Sequence, residues 1–126
     1  MTTTPPITLG AWNVEADDPE GLGSFWAGFL GVTPHLYAGM AYLPADEAGG
    51  VPMMFHPRGG PRPERQDAHL DLTVPWGRRV AEVERAVALG AVHRWDVLDE
   101  HPHVRWSVVA DPEGNLFCVA EHPPAE

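Results

Sequence analysis

The chain has 126 residues, 44% of them hydrophobic, which suits one globular domain with a substantial core and excludes an unstructured polypeptide. Its formal net charge of −10, from 18 acidic and 8 basic residues, argues against nucleic acid as a partner, serves solubility, and favours a neutral or cationic small molecule over an anion. A single cysteine excludes an internal disulfide and makes a reducing cytoplasm the expected compartment; no apolar run approaches the ~20 residues that span a membrane.

Met1-Thr2-Thr3-Thr4-Pro5-Pro6 has neither the basic nor the apolar region of a signal peptide and reads as a short lead-in. Ile7 to Ala16 reads as a first strand, with Trp12 and Val14 on one face and Ala11 and Asn13 on the other. Asp18 then caps a helix with Pro19 in its first turn. Leu22, Phe25, Trp26 and Phe29 recur at i, i+3, i+4 and i+7 as one apolar stripe, and Gly31 ends the helix. Three short strands follow, at about Pro34 to Tyr37, Ala41 to Pro44 and Val51 to His56, with turns at Gly39 and Gly49-Gly50. The Pro/Gly/Arg stretch 57–67 reads as a linker in which Arg58, Arg62 and Arg65 are exposed, the other reading being that they meet an anionic group on a ligand.

The second half repeats the order. Leu70, Leu72 and Val74 alternate with His69, Asp71 and Thr73, the pattern of a half-buried strand. A helix from about Gly77 to Leu89 carries a Val80, Val83 and Val87 stripe and stops at Gly90. Strands follow at Val92 to Val97, Val104 to Val109 and Leu116 to Glu121. The last two are joined tightly through Asp111-Pro112-Glu113-Gly114-Asn115. Alternation after that turn sends Phe117 and Val119 one way, Cys118 and Ala120 the other. The order βαβββ–βαβββ predicts an α+β fold. Two modules, about 7–57 and 68–122, form a curved mixed sheet enclosing an open cup, with the helices outside.

Several stretches together resemble the vicinal oxygen chelate superfamily of glyoxalase I, ring-cleaving dioxygenases and bleomycin resistance proteins. They are Asp18-Pro19 leading to Phe25-Trp26 and Phe29-Leu30-Gly31; Ala68-His69-Leu70-Asp71-Leu72-Thr73-Val74; and Arg105-Trp106 through Asp111-Pro112-Glu113-Gly114-Asn115 to Phe117-Cys118. The resemblance implies the cup, a homodimer, and in metal-using members two ligands from each module. Carried over by position, the four ligand places fall at Ala11, within Met53 to His56, at His69 and at Cys118. Counting back from Pro57 favours Met53, and a slip of one residue favours His56. Alanine binds no metal, and Cys118 stands where a glutamate is usual, so glyoxalase I activity is disfavoured. No cofactor is therefore expected; a divalent metal (Zn, Fe, Ni or Mn), if one is held, would rest on His69, His56 and Cys118.

His69 is the strongest single candidate, as general acid/base, ligand partner or metal ligand, against the alternative of a histidine satisfied by Asp71. Cys118 is either a soft ligand or a small buried residue. Asn13 and Trp106 share the inward parity, Asn13 to fix a carbonyl or hydroxyl, Trp106 either to stack on an aromatic or cationic ligand or to serve as ordinary core. Trp12 and Trp26 read as core between helix and sheet, Trp76 and Trp95 are left unplaced, and His101-Pro102-His103 reads as a surface loop. The expected function is the binding of a small organic molecule in the cup, with lyase or isomerase chemistry beside a carbonyl. The other reading is sequestration of an antibiotic or metabolite without turnover.

Overall fold

The computed structural model describes residues 5–46 and 50–124; Met1–Thr4 and Gly49 of the expected glycine turn lie outside them. The chain divides into two compact units, Met1–Pro57 and Arg58–Glu126. The first contains β1 (Trp12–Ala16), α1 (Pro19–Leu30), β2 (His35–Tyr37), β3 (Met40–Leu43) and β4 (Met53–Pro57). The second contains β5 (Leu70–Pro75), α2 (Arg79–Ala88), β6 (Val92–Val97), β7 (Arg105–Ala110) and β8 (Leu116–His122). Both sheets are mixed and have the same order, β1-β4-β3-β2 and β5-β8-β7-β6, with the first and last strands of each unit parallel and the rest antiparallel. The α+β fold of two repeated βαβββ modules is thus present. Among the described residues no helix is long and apolar enough to cross a membrane.

In the first unit, the Asp18 side chain accepts from Gly21 N at 3.1 Å and Gly31 closes α1 in the left-handed region at φ 74°. The Leu22, Phe25, Trp26 and Phe29 stripe is buried as expected. It packs on a sheet face that includes Ala41 and Phe55, both fully buried. A Cβ at Gly23 would press directly on the Ala41 Cβ, so the helix approaches β3 as closely as it does because position 23 has no side chain. Tyr37 and Met40 pair across a two-residue turn, with Ala38 at φ 51° and Gly39 at φ 75°. The first strand begins at Trp12 and not at Ile7. Ile7 and Leu9 remain exposed, because pairing with β4 starts only at Trp12 opposite Met53. Trp12 itself is 38% exposed, unlike the buried Trp26.

In the second unit, the buried face of α2 corrects the expected valine stripe. Arg79, Val83 and Ala86 are buried, whereas Val80 and Val87 face outward. A charge network explains the rotation. Arg79 Nε donates to Glu121 Oε2 at 2.9 Å, and its Nη1 donates to Ser107 Oγ at 2.6 Å and to Asp96 Oδ1 at 3.3 Å. Ser107 Oγ in turn donates to Asp96 at 2.6 Å, and His93 Nε2 lies 2.7 Å from the same oxygen. Burial alone pushes the Asp96 carboxyl up, but Ser107, His93 and Arg79 outweigh it and hold it below its ordinary value. Among the described residues no buried side-chain polar atom lacks a partner. This network fixes which face of the sheet α2 covers. Ser107, Val109, Phe117, Val119 and Glu121 take the helix side, and the residues alternating with them take the other.

A candidate ligand face on the second sheet

The turn ahead of β8 is held by one buried carboxylate. Asp111 Oδ1 accepts from Glu113 N at 3.0 Å, Asn115 N at 2.9 Å and Asn115 Nδ2 at 3.1 Å. Gly114 supplies the positive φ of 86° that lets the chain reverse. The register that follows places Cys118 opposite Asp71 of β5, and Ala120 opposite Thr73 and Trp106. All of these side chains lie on the face turned away from α2.

On that face of the second unit lies a cavity of about 690 Å³. Its apolar wall includes Trp95, Val97, Trp106, Val108 and Ala120, and its polar edge His69, Asp71, Cys118 and His122. Trp106 lines this cavity and stacks against His101, with ring centroids 5.3 Å apart. The expected surface-loop histidine therefore backs the indole.

Trp95 could not be placed from alternation, and the structure shows why. His93 pairs with Val109 but Trp95 with Val108, so the register slips by one residue at Arg94. The extra residue reverses parity midway along β6: His93 stays on the helix side and Trp95 turns onto the cavity face. The two indoles then occupy diagonal positions on neighbouring strands, because Val108, two residues beyond Trp106, is the partner of Trp95.

At the polar edge, His69 Nε2 is 3.2 Å from Asp71 Oδ1, and one donor atom each from His69, Asp71 and Cys118 lie within 4.8 Å of one another. His69 and Asp71 are more than half exposed, while Cys118 is buried. Burial, the Asp71 charge and a hydrogen bond to Asp71 push the Cys118 thiol from an ordinary 9.0 to about 11. The thiol is neutral near pH 7 and is no free nucleophile there. Asp71 is the member of this trio that sequence reasoning treated only as a neighbour of His69. Its shared parity with His69 was the available signal.

Asn13 and His56 lie in the first unit, on β1 and β4. Pairing sets Asn13 opposite Met54 and Glu15 opposite His56. Met53 and Phe55 are buried, whereas Met54 and His56 on the other parity are only partly covered. The register therefore puts His56, and not Met53, on the face turned from α1.

A family model of the glyoxalase-like domain matches residues 11–120. No curated protein matches the chain significantly in sequence. Among solved structures, a glyoxalase/bleomycin resistance protein/dioxygenase family enzyme from Burkholderia phytofirmans PsJN superposes with a TM-score of 0.77 at 17% identity, covering 92% of this chain and 99% of that one. TioX from Micromonospora sp. ML1 gives 0.62 at 20% identity, covering 91% and 98%. The fosfomycin resistance protein FosX from Mesorhizobium loti gives 0.66 at 15% identity, covering 94% and 93%. At these identities the superpositions speak for the fold, and the family match spans most of the sequence: the chain belongs to the glyoxalase-like domain family.

Proposed function

We propose that this protein binds a small organic molecule with a flat aromatic or cationic body on the cavity face of its second sheet. The observation that carries the proposal is the pair of indoles, Trp95 and Trp106, on one wall of a cavity large enough for such a molecule. Indole faces attract aromatic rings and cations. The exposed Asp71 carboxylate at the cavity edge and the overall charge of −10 add to the preference for a cation. A thermal-shift screen beginning with cationic aromatic compounds tests this. Ligands found should lose affinity in Trp95→Ala and Trp106→Ala, and affinity unchanged in both variants would refute the placement.

Turnover is the second reading, and the His69–Asp71 contact favours it. With the Asp71 carboxylate 3.2 Å from Nε2 to steady the imidazole, His69 would take a proton from a hydroxyl-bearing carbon beside a ligand carbonyl and return it at the carbonyl carbon, while the hydroxyl proton passes to the former carbonyl oxygen. The His69, Asp71 and Cys118 donors also fit a three-ligand divalent ion of the zinc type with an open position. Such an ion would polarise the carbonyl. His69→Ala separates the readings. A sequestering protein loses affinity only, whereas a catalyst loses turnover far beyond its loss of binding. Elemental analysis of the wild type beside His69→Ala reports any resident metal. Light scattering tests the homodimer, which we infer from the family resemblance alone.

A further inference from the structure

The eight basic residues of this acidic chain are all arginines, and four of them, Arg58, Arg62, Arg65 and Arg94, line a second cavity of about 360 Å³. The segment carrying the first three is stitched to the β7–β8 turn. Gln66 donates to Leu116 O at 2.8 Å and accepts from Leu116 N at 2.9 Å. Arg58 pairs with Glu113 at 3.4 Å, and Arg62 donates to Asn115 Oδ1 at 3.1 Å. Asn115 is itself held by Asp111. The loop is thus docked, and Arg58 and Arg62 have defined partners on that turn.

Those charges are only partly matched. Arg58 has Glu113, and Arg65 has Asp67 at 3.2 Å. Arg62 meets only a neutral amide oxygen, and Arg94 has no ion-pair partner among the described residues. Arg94 is the residue at which the β6 register slips. The irregularity that turns Trp95 onto one face therefore also frees Arg94 from the regular alternation. Glu64 is the one carboxylate in the lining, against four guanidinium groups.

We propose that this cavity is a binding site for a small oxyanion, a phosphate or carboxylate group, held by the Arg62 and Arg94 guanidinium groups with Arg58 and Arg65 beside them. Guanidinium forks match the paired oxygens of such groups, and convergent forks hold them against the repulsion of a protein whose net charge is −10. Leu116 lines both this cavity and the one beneath the indoles. The oxyanion can therefore be free in solution or belong to a molecule that also reaches the indole face.

The test is calorimetric titration of the full chain with inorganic phosphate and with phenyl phosphate at low ionic strength. Saturable one-to-one binding below about 1 mM is expected. The Arg62→Gln/Arg94→Gln double variant should weaken it about tenfold or more. Arg94→Gln alone breaks no side-chain hydrogen bond or ion pair among the described residues and should weaken it measurably. Arg78→Gln, the same charge change on the exposed start of α2, should leave it nearly unchanged. If phenyl phosphate binds more tightly and loses that advantage in Trp95→Ala, the anion is part of the indole-face ligand. Equal affinities would make it a separate anion. No saturable binding, or equal weakening by Arg78→Gln, would overturn the proposal.

Discussion

The polar edge of the indole cavity makes a quantitative prediction about Cys118. Its thiol lies on β8 directly opposite Asp71 on β5, and burial together with that carboxylate lifts its pKa to about 11 from an ordinary 9.0. At pH 8 the thiolate fraction is then about one in a thousand, against about one in ten at the ordinary value. Alkylation by iodoacetamide of chelator-treated protein at pH 8 should therefore be about a hundredfold slower than in the unfolded chain, since only the thiolate reacts. Asp71→Asn keeps the shape and removes the charge, so the alkaline inflection of the rate should move down and the rate at pH 8 should rise. Burial remains in that variant, so the recovery should fall short of the full hundredfold. The same displacement fixes a stability trend. The unfolded chain gives up the thiol proton first as pH rises, so the stability contributed by this neutral thiol should be fully present below about pH 9 and be lost between about pH 9 and about pH 11. Wild-type alkylation as fast as in the unfolded chain, or an Asp71→Asn profile superimposable on wild type, would refute the arrangement of these two residues.

Other consequences concern the scaffold. Gly23→Ala should destabilise by about 1–3 kcal/mol in chemical denaturation despite the better helix propensity of alanine, because the new Cβ collides with Ala41. Arg79→Ala should cost about 3–5 kcal/mol by leaving Glu121 buried without its partner, and Arg79→Met combined with Glu121→Leu should recover most of that loss. Ala38→Gly should stabilise by about 1 kcal/mol, since Ala38 sits at φ 51° in a turn that favours glycine or asparagine at both central positions.

How far the sequence reaches depends on whether a feature is periodic. The α1 stripe, the alternation of β5 and the opposed parities of Phe117 and Cys118 follow from regular geometry, and each appears in the structure. The α2 stripe did not follow, because an arginine can be core when carboxylates and a hydroxyl are waiting for it. Nothing within 79–88 announces Glu121, Ser107 and Asp96. Trp95 was hidden for a related reason: a one-residue register slip breaks the period-two rule on which a placement would rest. The arginines of the 57–67 linker looked like solvated charge, and their docking through Gln66, Asn115 and Glu113 spans about fifty positions of sequence. Long-range polar contacts of this kind leave no local pattern.

The central claim is that Trp95 and Trp106 form the ligand-binding wall of the second unit. It is tested most directly by the indole N–H resonances in a two-dimensional ¹H–¹⁵N spectrum, titrated with the tightest ligand from the thermal-shift screen. Assignment of the five indoles by single Trp→Phe variants makes the readout residue-specific. The account predicts saturable shifts at Trp95 and Trp106 with the signal of the buried Trp26 unmoved. Saturable binding that shifts Trp26, or none of the indoles, while Trp95 and Trp106 stay fixed would contradict it.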